Sequence, residues 1–149
     1  MTLLAQQANG TTVVHFASGA RARSIPFELV EGRIVLRVGV NGSTPVSFIL
    51  DTGADVNVVG LRYARSSSIA TVPWTGGFVA IGDHPPESHL ATDAISFSLP
   101  GVELSDSRVF VLSLDETHEC LGKNPPLDGF LGRRSFVVLS SKSTTDPVC

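Results

Sequence analysis

A chain of 149 residues with a net charge of −3, 42% hydrophobic and 17% charged, is sized for one packed domain; two full domains and a disordered chain are both excluded. Its basic residues are scattered apart from Arg21/Arg23 and Arg133/Arg134, so no nucleic-acid partner is expected, because such proteins carry a basic patch or stripe. No apolar run approaches the ~20 residues that cross a bilayer, and MTLLAQQANG has neither the basic region nor the apolar length of a signal peptide.

Residues 1–24 are polar, rich in Ala, Ser and Gly, and without sustained periodicity; they read as an N-terminal tail or a loosely attached strand. The body begins near Ile25. From there apolar and polar residues alternate through Ile34, Leu36, Val38 and Val40, turn at Asn41-Gly42, and run on through Val46, Phe48 and Leu50. Asn-Gly between alternating strands is a strong hairpin signal. Residues 56–59 continue extended, and GLRYARSSS offers a short helix ended by its serines. WTGGFVAIGDHPP carries Gly76, Gly77 and Gly82, which suits a mobile hairpin. HLATDAISFSLPGVELSDSRVFVLSL supplies two or three strands broken at Pro100-Gly101, and ECLGKNPPL is a turn-rich loop. DGFLGRRSFVVLS is an apolar strand stopped by Gly132, with a single helical turn expected over residues 133–136. Short strands punctuated by Gly and Pro predict a mostly-β domain, a small barrel or sandwich.

The histidines (His15, His84, His89 and His118) show no metal-ligand spacing. Cys120 and Cys149 fit none either and are too few for a disulfide scaffold. Whether the two cysteines pair is left open. Neither a metal nor an organic cofactor is expected.

The chemistry concentrates at FILDTGADVNVVG, residues 48–60. An apolar strand delivers Asp51 to a tight turn, Thr52 can bond backbone across it, and Gly53 and Ala54 let a neighbouring backbone come close. The structural alternative for Asp51 is an Asx residue that merely shapes the turn. About eighty residues later a second apolar strand, Phe130-Leu131, meets Gly132, whose missing side chain would let it pass beside the first turn.

This arrangement resembles the retropepsin-like aspartic proteases over residues 25–140, and among them looks most like the bacterial members. The parts come in the family's order: a hairpin into apolar-apolar-Asp-Thr-Gly-Ala, a Gly-rich flap, further strands, and apolar-apolar-Gly-Arg leading into a helix. The resemblance implies a small closed barrel, mostly β, with one short helix near the C-terminal end, and a C-terminal tail over residues 141–149. It makes Asp51 the catalytic aspartate and Thr52 and Gly53 the rest of the catalytic loop. Ala54, Asp55, Gly76, Gly77 and Phe78 would line the cleft and flap. Gly132 and Arg133 would be structural neighbours of the site, with Arg133 paired to Asp55. Arg134 stands where the family often has Asp or Asn. An exported or membrane-tethered setting in a bacterium also fits the resemblance, with no signal or spanning segment present in this chain.

Peptide hydrolysis by this route needs two carboxylates sharing one proton, one activating water while the other donates to the scissile carbonyl. The chain has one Asp-Thr-Gly. A two-fold homodimer would supply the second aspartate, acting on a peptide or protein substrate. Two other readings compete. One is a catalytically silent module of the same fold that dimerises or binds peptides, against which the intact Asp-Thr-Gly argues. The other is a phosphotransferase of the haloacid-dehalogenase type, disfavoured because Gly53 stands where a second acid is wanted and long helices are missing from the pattern.

Overall fold

The computed structural model describes residues 12–19, 21–76, 87–114 and 126–135. Its strands are β1 (Thr12–Phe16), β2 (Phe27–Val30), β3 (Arg33–Val40), β4 (Val46–Leu50), β5 (Asn57–Gly60), β6 (Thr71–Pro73), β7 (Ser88–Ala91), β8 (Ile95–Leu99), β9 (Val102–Asp106), β10 (Val109–Leu112) and β11 (Gly129–Leu131); helix α1 is Leu61–Ser66. The mostly-β fold expected from the sequence is the one the chain adopts.

The strands follow one path, β1-β9-β8-β3-β4-β11-β5-β10-β7-β6, with β2 paired to β3 off that path. The sheet curls as a half-barrel. Among the described residues the path ends at β1 and at β6.

Two reverse turns set the register of the N-terminal third. Asn41 and Gly42 have φ of 50° and 79°, the left-handed pair that matches the twist of a hairpin, and Ser43 N–H donates to the Val40 carbonyl at 3.0 Å. The second turn was not visible in the pattern. Glu31 and Gly32 have φ of 49° and 77°, so the stretch that reads as one run from Ile25 folds back on itself, pairing Val30 with Arg33 and Phe27 with Leu36.

Alternation then decides burial. Phe48, Phe97, Leu104, Val38, Val59 and Leu131 are completely buried in the main core, each worth about 1.5–3 kcal/mol for a side chain of that size. Phe48 and Phe97 meet edge to face at 5.7 Å, an arrangement that adds about 0.5–1.5 kcal/mol. Helix α1 buries Leu61 and Ala64. It ends at the serines, as expected: Ser67 N–H donates to the Tyr63 carbonyl, and Ser68 turns left-handed at φ 56°. Residues 133–135 are helical, where the C-terminal helical turn was expected.

The connectivity that matters for the site is central. β11 lies between β4, to which it is parallel with Leu131 beside Leu50, and β5, to which it is antiparallel with Phe130 beside Val58. Residues 51–56 must therefore bridge two strands that have a third between them. The chain leaving β11 passes directly beneath that bridge.

Candidate active site

Asp51 follows the last residue of β4 and is half-buried. Its backbone N–H donates to the Leu131 carbonyl at 2.9 Å, and its own carbonyl accepts the Ala54 N–H at 3.2 Å. Its carboxylate Oδ1 accepts the Gly53 N–H at 2.9 Å. The Asx-turn bond weighed as an alternative is thus present, and it orients the carboxylate rather than competing with it. Thr52 and Gly53 are exposed at the tip. No described residue bonds the Thr52 hydroxyl across the turn; Asp51 closes the turn instead.

The crossover beneath the turn explains Gly132. A Cβ placed there would collide with the Val56 carbonyl oxygen and lie 2.7 Å from that of Ala54, and both are backbone atoms of the bridge itself. Arg133 N–H donates to the Ala54 carbonyl at 2.7 Å. Its guanidinium pairs with Asp55 at 3.0 Å, with both side chains largely exposed. An exposed pair of this kind contributes about 0–1 kcal/mol, so the contact is chiefly geometric. Ala54 is half-buried in the same turn and Asp55 is exposed.

Gly76 is described and lies against the ring of Trp74, which itself meets Phe110 edge to face at 5.3 Å. Gly77 and Phe78, and with them the flap expected around residues 76–84, fall outside the described residues beyond Gly76. Cys120, Cys149, His84 and His118 also fall outside them. Among the described residues no group of three His, Cys, Asp or Glu side chains is placed to hold a metal.

Sequence reasoning missed a buried polar group behind the crossover. Asn57, the first residue of β5, is completely buried, as is Asp106 at the end of β9. Asn57 Nδ2 donates to Asp106 Oδ2 at 2.8 Å. Asn57 Oδ1 accepts the Gly132 N–H and the Ser135 hydroxyl, both at 2.9 Å. Burial pushes the Asp106 carboxyl above its ordinary range, against the opposing pull of the Arg108 N–H, the Asn57 amide and the Arg134 and Arg108 charges. The available signal was a lone Asn at the head of the apolar run NVVG. A cavity of about 710 Å³ lies elsewhere, against α1, lined by Leu61, Tyr63, Leu114, Leu127 and neighbours, and includes none of residues 51–55.

The sequence profile of the aspartyl proteases matches residues 36–134, more than half of the chain, from within β3 through the crossover. The chain belongs to the aspartyl protease family. This is the family to which the retropepsin-like resemblance pointed. Two solved structures similar to this aspartyl protease are a retropepsin-like aspartic protease from Rickettsia conorii and the EIAV protease complexed with the inhibitor HBY-793. The first is 16% identical with a TM-score of 0.45, covering 85% of this chain and 78% of that one. The second is 18% identical with a TM-score of 0.49, covering 78% and 93%.

Proposed function

We propose that this aspartyl protease is an endopeptidase that works as a homodimer, each chain contributing Asp51 to a shared dyad, with Thr52 and Gly53 completing the catalytic loop. The observation that carries the reading is the Asp51 turn: a carboxylate oriented by the Gly53 N–H, anchored by backbone to β11, and half-buried beside the exposed tip of Thr52 and Gly53. One such turn per chain gives half of the chemistry. Two carboxylates brought together across a two-fold share a single proton, because both cannot ionise at close range. The ionised member takes a proton from water as the water attacks the peptide carbonyl. The protonated member donates to the carbonyl oxygen, and the two exchange roles as the tetrahedral intermediate collapses. Ala54, Asp55 and Gly76 would border the cleft.

Two features favour a second copy as the partner. Among the described residues the path of strands ends at β1 and at β6, ends that a second copy could extend. On β2, Phe27 and Leu29 point the same way with 57% and 69% of their surface exposed, an apolar pair that a monomer gains nothing by displaying. The catalytic body is taken as residues 25–140, with 1–24 and 141–149 outside it; within the first of these, β1 is attached through β9.

The test is a peptide-library digest with wild type and Asp51→Asn side by side. Wild type should cleave, with activity falling toward alkaline pH as the shared proton is lost and unchanged by a chelator, and it should lose specific activity on dilution. Asp51→Asn should be folded and inactive, and in excess should titrate wild type into inactive heterodimers. Full activity in Asp51→Asn ends the proposal. A folded, dimeric wild type that cleaves nothing in the library leaves the silent peptide-binding module as the reading.

A further inference from the structure

The peptide group joining Leu131 to Gly132 is gripped from both sides. Its carbonyl oxygen accepts the Asp51 N–H at 2.9 Å, and its N–H donates to Asn57 Oδ1 at 2.9 Å. Because the peptide is planar and rigid, whatever fixes its N–H also fixes the oxygen that holds the backbone of Asp51. Asn57 is two hydrogen bonds and one peptide plane from the catalytic residue.

An asparagine amide fits such a place in one orientation only. Its oxygen must face Gly132 N–H and the Ser135 hydroxyl; turned over, its NH₂ would face the Gly132 N–H, donor against donor. What selects the orientation lies on the other side of the amide. Asp106 offers two acceptor oxygens, one taking the Asn57 NH₂ at 2.8 Å and the other the Arg108 N–H at 2.9 Å. An acceptor at that end forces the NH₂ toward β9 and leaves the oxygen for the crossover. The row therefore runs with one polarity, from Arg108 N–H and Asn57 NH₂ into Asp106, and from Gly132 N–H into Asn57.

We propose that Asn57 and Asp106 form a positioning pair for the catalytic turn, Asp106 setting the amide orientation of Asn57 so that Asn57 holds the Leu131–Gly132 peptide on which Asp51 rests. The proposal rests on the endopeptidase reading for its effect on turnover, and its structural half stands apart from it. Neither residue touches substrate. Arg108, whose guanidinium lies 5.7 Å from the ring centres of both Trp74 and Phe110, ties the row to the Trp74 side of the site.

The test exchanges the two side chains. Asn57→Asp alone sets two carboxylates face to face, and Asp106→Asn alone sets two amides together, one of which must turn an NH₂ toward a donor. Combining Asn57→Asp with Asp106→Asn restores every bond: the new carboxylate at 57 accepts from Gly132, Ser135 and the new amide at 106, whose oxygen accepts from Arg108. Each single variant should lower kcat by about 10- to 100-fold, the loss expected for a sub-ångström misplacement of a reacting group, with KM within about threefold. The double variant should return kcat to within about threefold of wild type, a coupling that independent sites do not show. The Gly132 amide should exchange with solvent about tenfold faster in each single variant and recover in the double.

Single variants with wild-type kcat and Gly132 exchange overturn the proposal, as does a double variant as impaired as the singles combined. If the singles do not fold, the double decides alone: folded with a protected Gly132 amide supports the pair, unfolded rejects it. If wild type cleaves no peptide, the endopeptidase reading fails while the Gly132 exchange still decides the pair. If wild type cleaves and Asp51→Asn does not, neutral exchange variants reject the pair and leave the peptidase standing.

Discussion

Replacing Gly132 by alanine tests whether the crossover holds the Asp51 turn in place. The added methyl would sit 2.7 Å from the Ala54 carbonyl oxygen and closer still to that of Val56, whereas ordinary contact begins near 3.4 Å, so the turn and β11 must separate by at least about 0.7 Å, as in other overpacked sites. Neither side yields cheaply: Leu131 is fully buried on one, and the Ala54 and Val56 oxygens are backbone on the other. Overpacking of this sort costs about 1–3 kcal/mol. Weakening the Gly132-to-Asn57 and Arg133-to-Ala54 bonds adds about 1 kcal/mol each. The expected loss is about 3–5 kcal/mol, a large share of the roughly 5–15 kcal/mol that holds a domain folded, and the displacement approaches the ~1 Å that lowers turnover about 100-fold. Urea unfolding followed by the fluorescence of the single tryptophan, Trp74, measures the first, at fixed protein concentration because the stability of the proposed dimer would depend on it. Gly39→Ala is the comparison. There the nearest atom is the Ser98 hydroxyl, a side chain able to rotate away, with the Ser43 carbonyl at 3.1 Å, and a loss of about 1 kcal/mol is expected. If Gly132→Ala is no more costly than Gly39→Ala, the crossover does not constrain the turn and the geometric reasoning is wrong.

Leu29→Lys probes the exposed face of β2. On a monomer surface it changes stability by no more than about 0.5 kcal/mol, but if the face is covered by a second copy it removes about 1.5–3 kcal/mol of burial; sedimentation equilibrium should show the dimer constant weakened about 10- to 100-fold, and an unchanged constant removes β2 from the interface. Asp106 gives a pH signature. Burial raises its pKa above 3.8, so the native state holds this proton more tightly than the unfolded chain; the group's stabilising contribution is complete below 3.8 and is lost as pH rises through the raised native value. The stability of wild type relative to Asp106→Asn should therefore fall as pH is raised from below 3.8 toward neutrality, and a flat or rising difference contradicts the burial argument.

What could be read in the sequence was what is local. Asp51, Thr52 and Gly53 are neighbours whose turn forms within four residues, with the Gly53 N–H on the Asp51 carboxylate and the Ala54 N–H on its carbonyl. Likewise α1 ends on its own serines, and the Asn41-Gly42 hairpin needs no partner to be recognised. Gly132 was legible because a missing side chain after an apolar strand says that something passes close, though not that it is the pair of carbonyls from residues 54 and 56. The Glu31-Gly32 reversal escaped because glutamate carries no preference for the left-handed φ of 49° it adopts; the pairing of β2 with β3 imposes it.

The buried polar row escaped for a different reason. The unbroken apolar run of β5 and the alternation along β9 tell which residues turn inward, and they mark Asn57 and Asp106 as polar residues in inward-facing company. They cannot say that two side chains 49 positions apart meet, because that depends on the parallel pairing of β5 with β10 and on where β9 stops before β10 begins. A polar residue inside an apolar strand is costly unless satisfied, so its presence in NVVG is itself a statement that partners exist. The partners turn out to be the peptide that carries Asp51 and a carboxylate whose burial weakens the fold as pH rises. A site this arranged is expected where stability has been traded for the placement of one residue, here Asp51. Stabilising Asp106 as a neutral side chain and keeping the Asp51 turn in register are accordingly opposed demands, which the exchange of residues 57 and 106 separates experimentally.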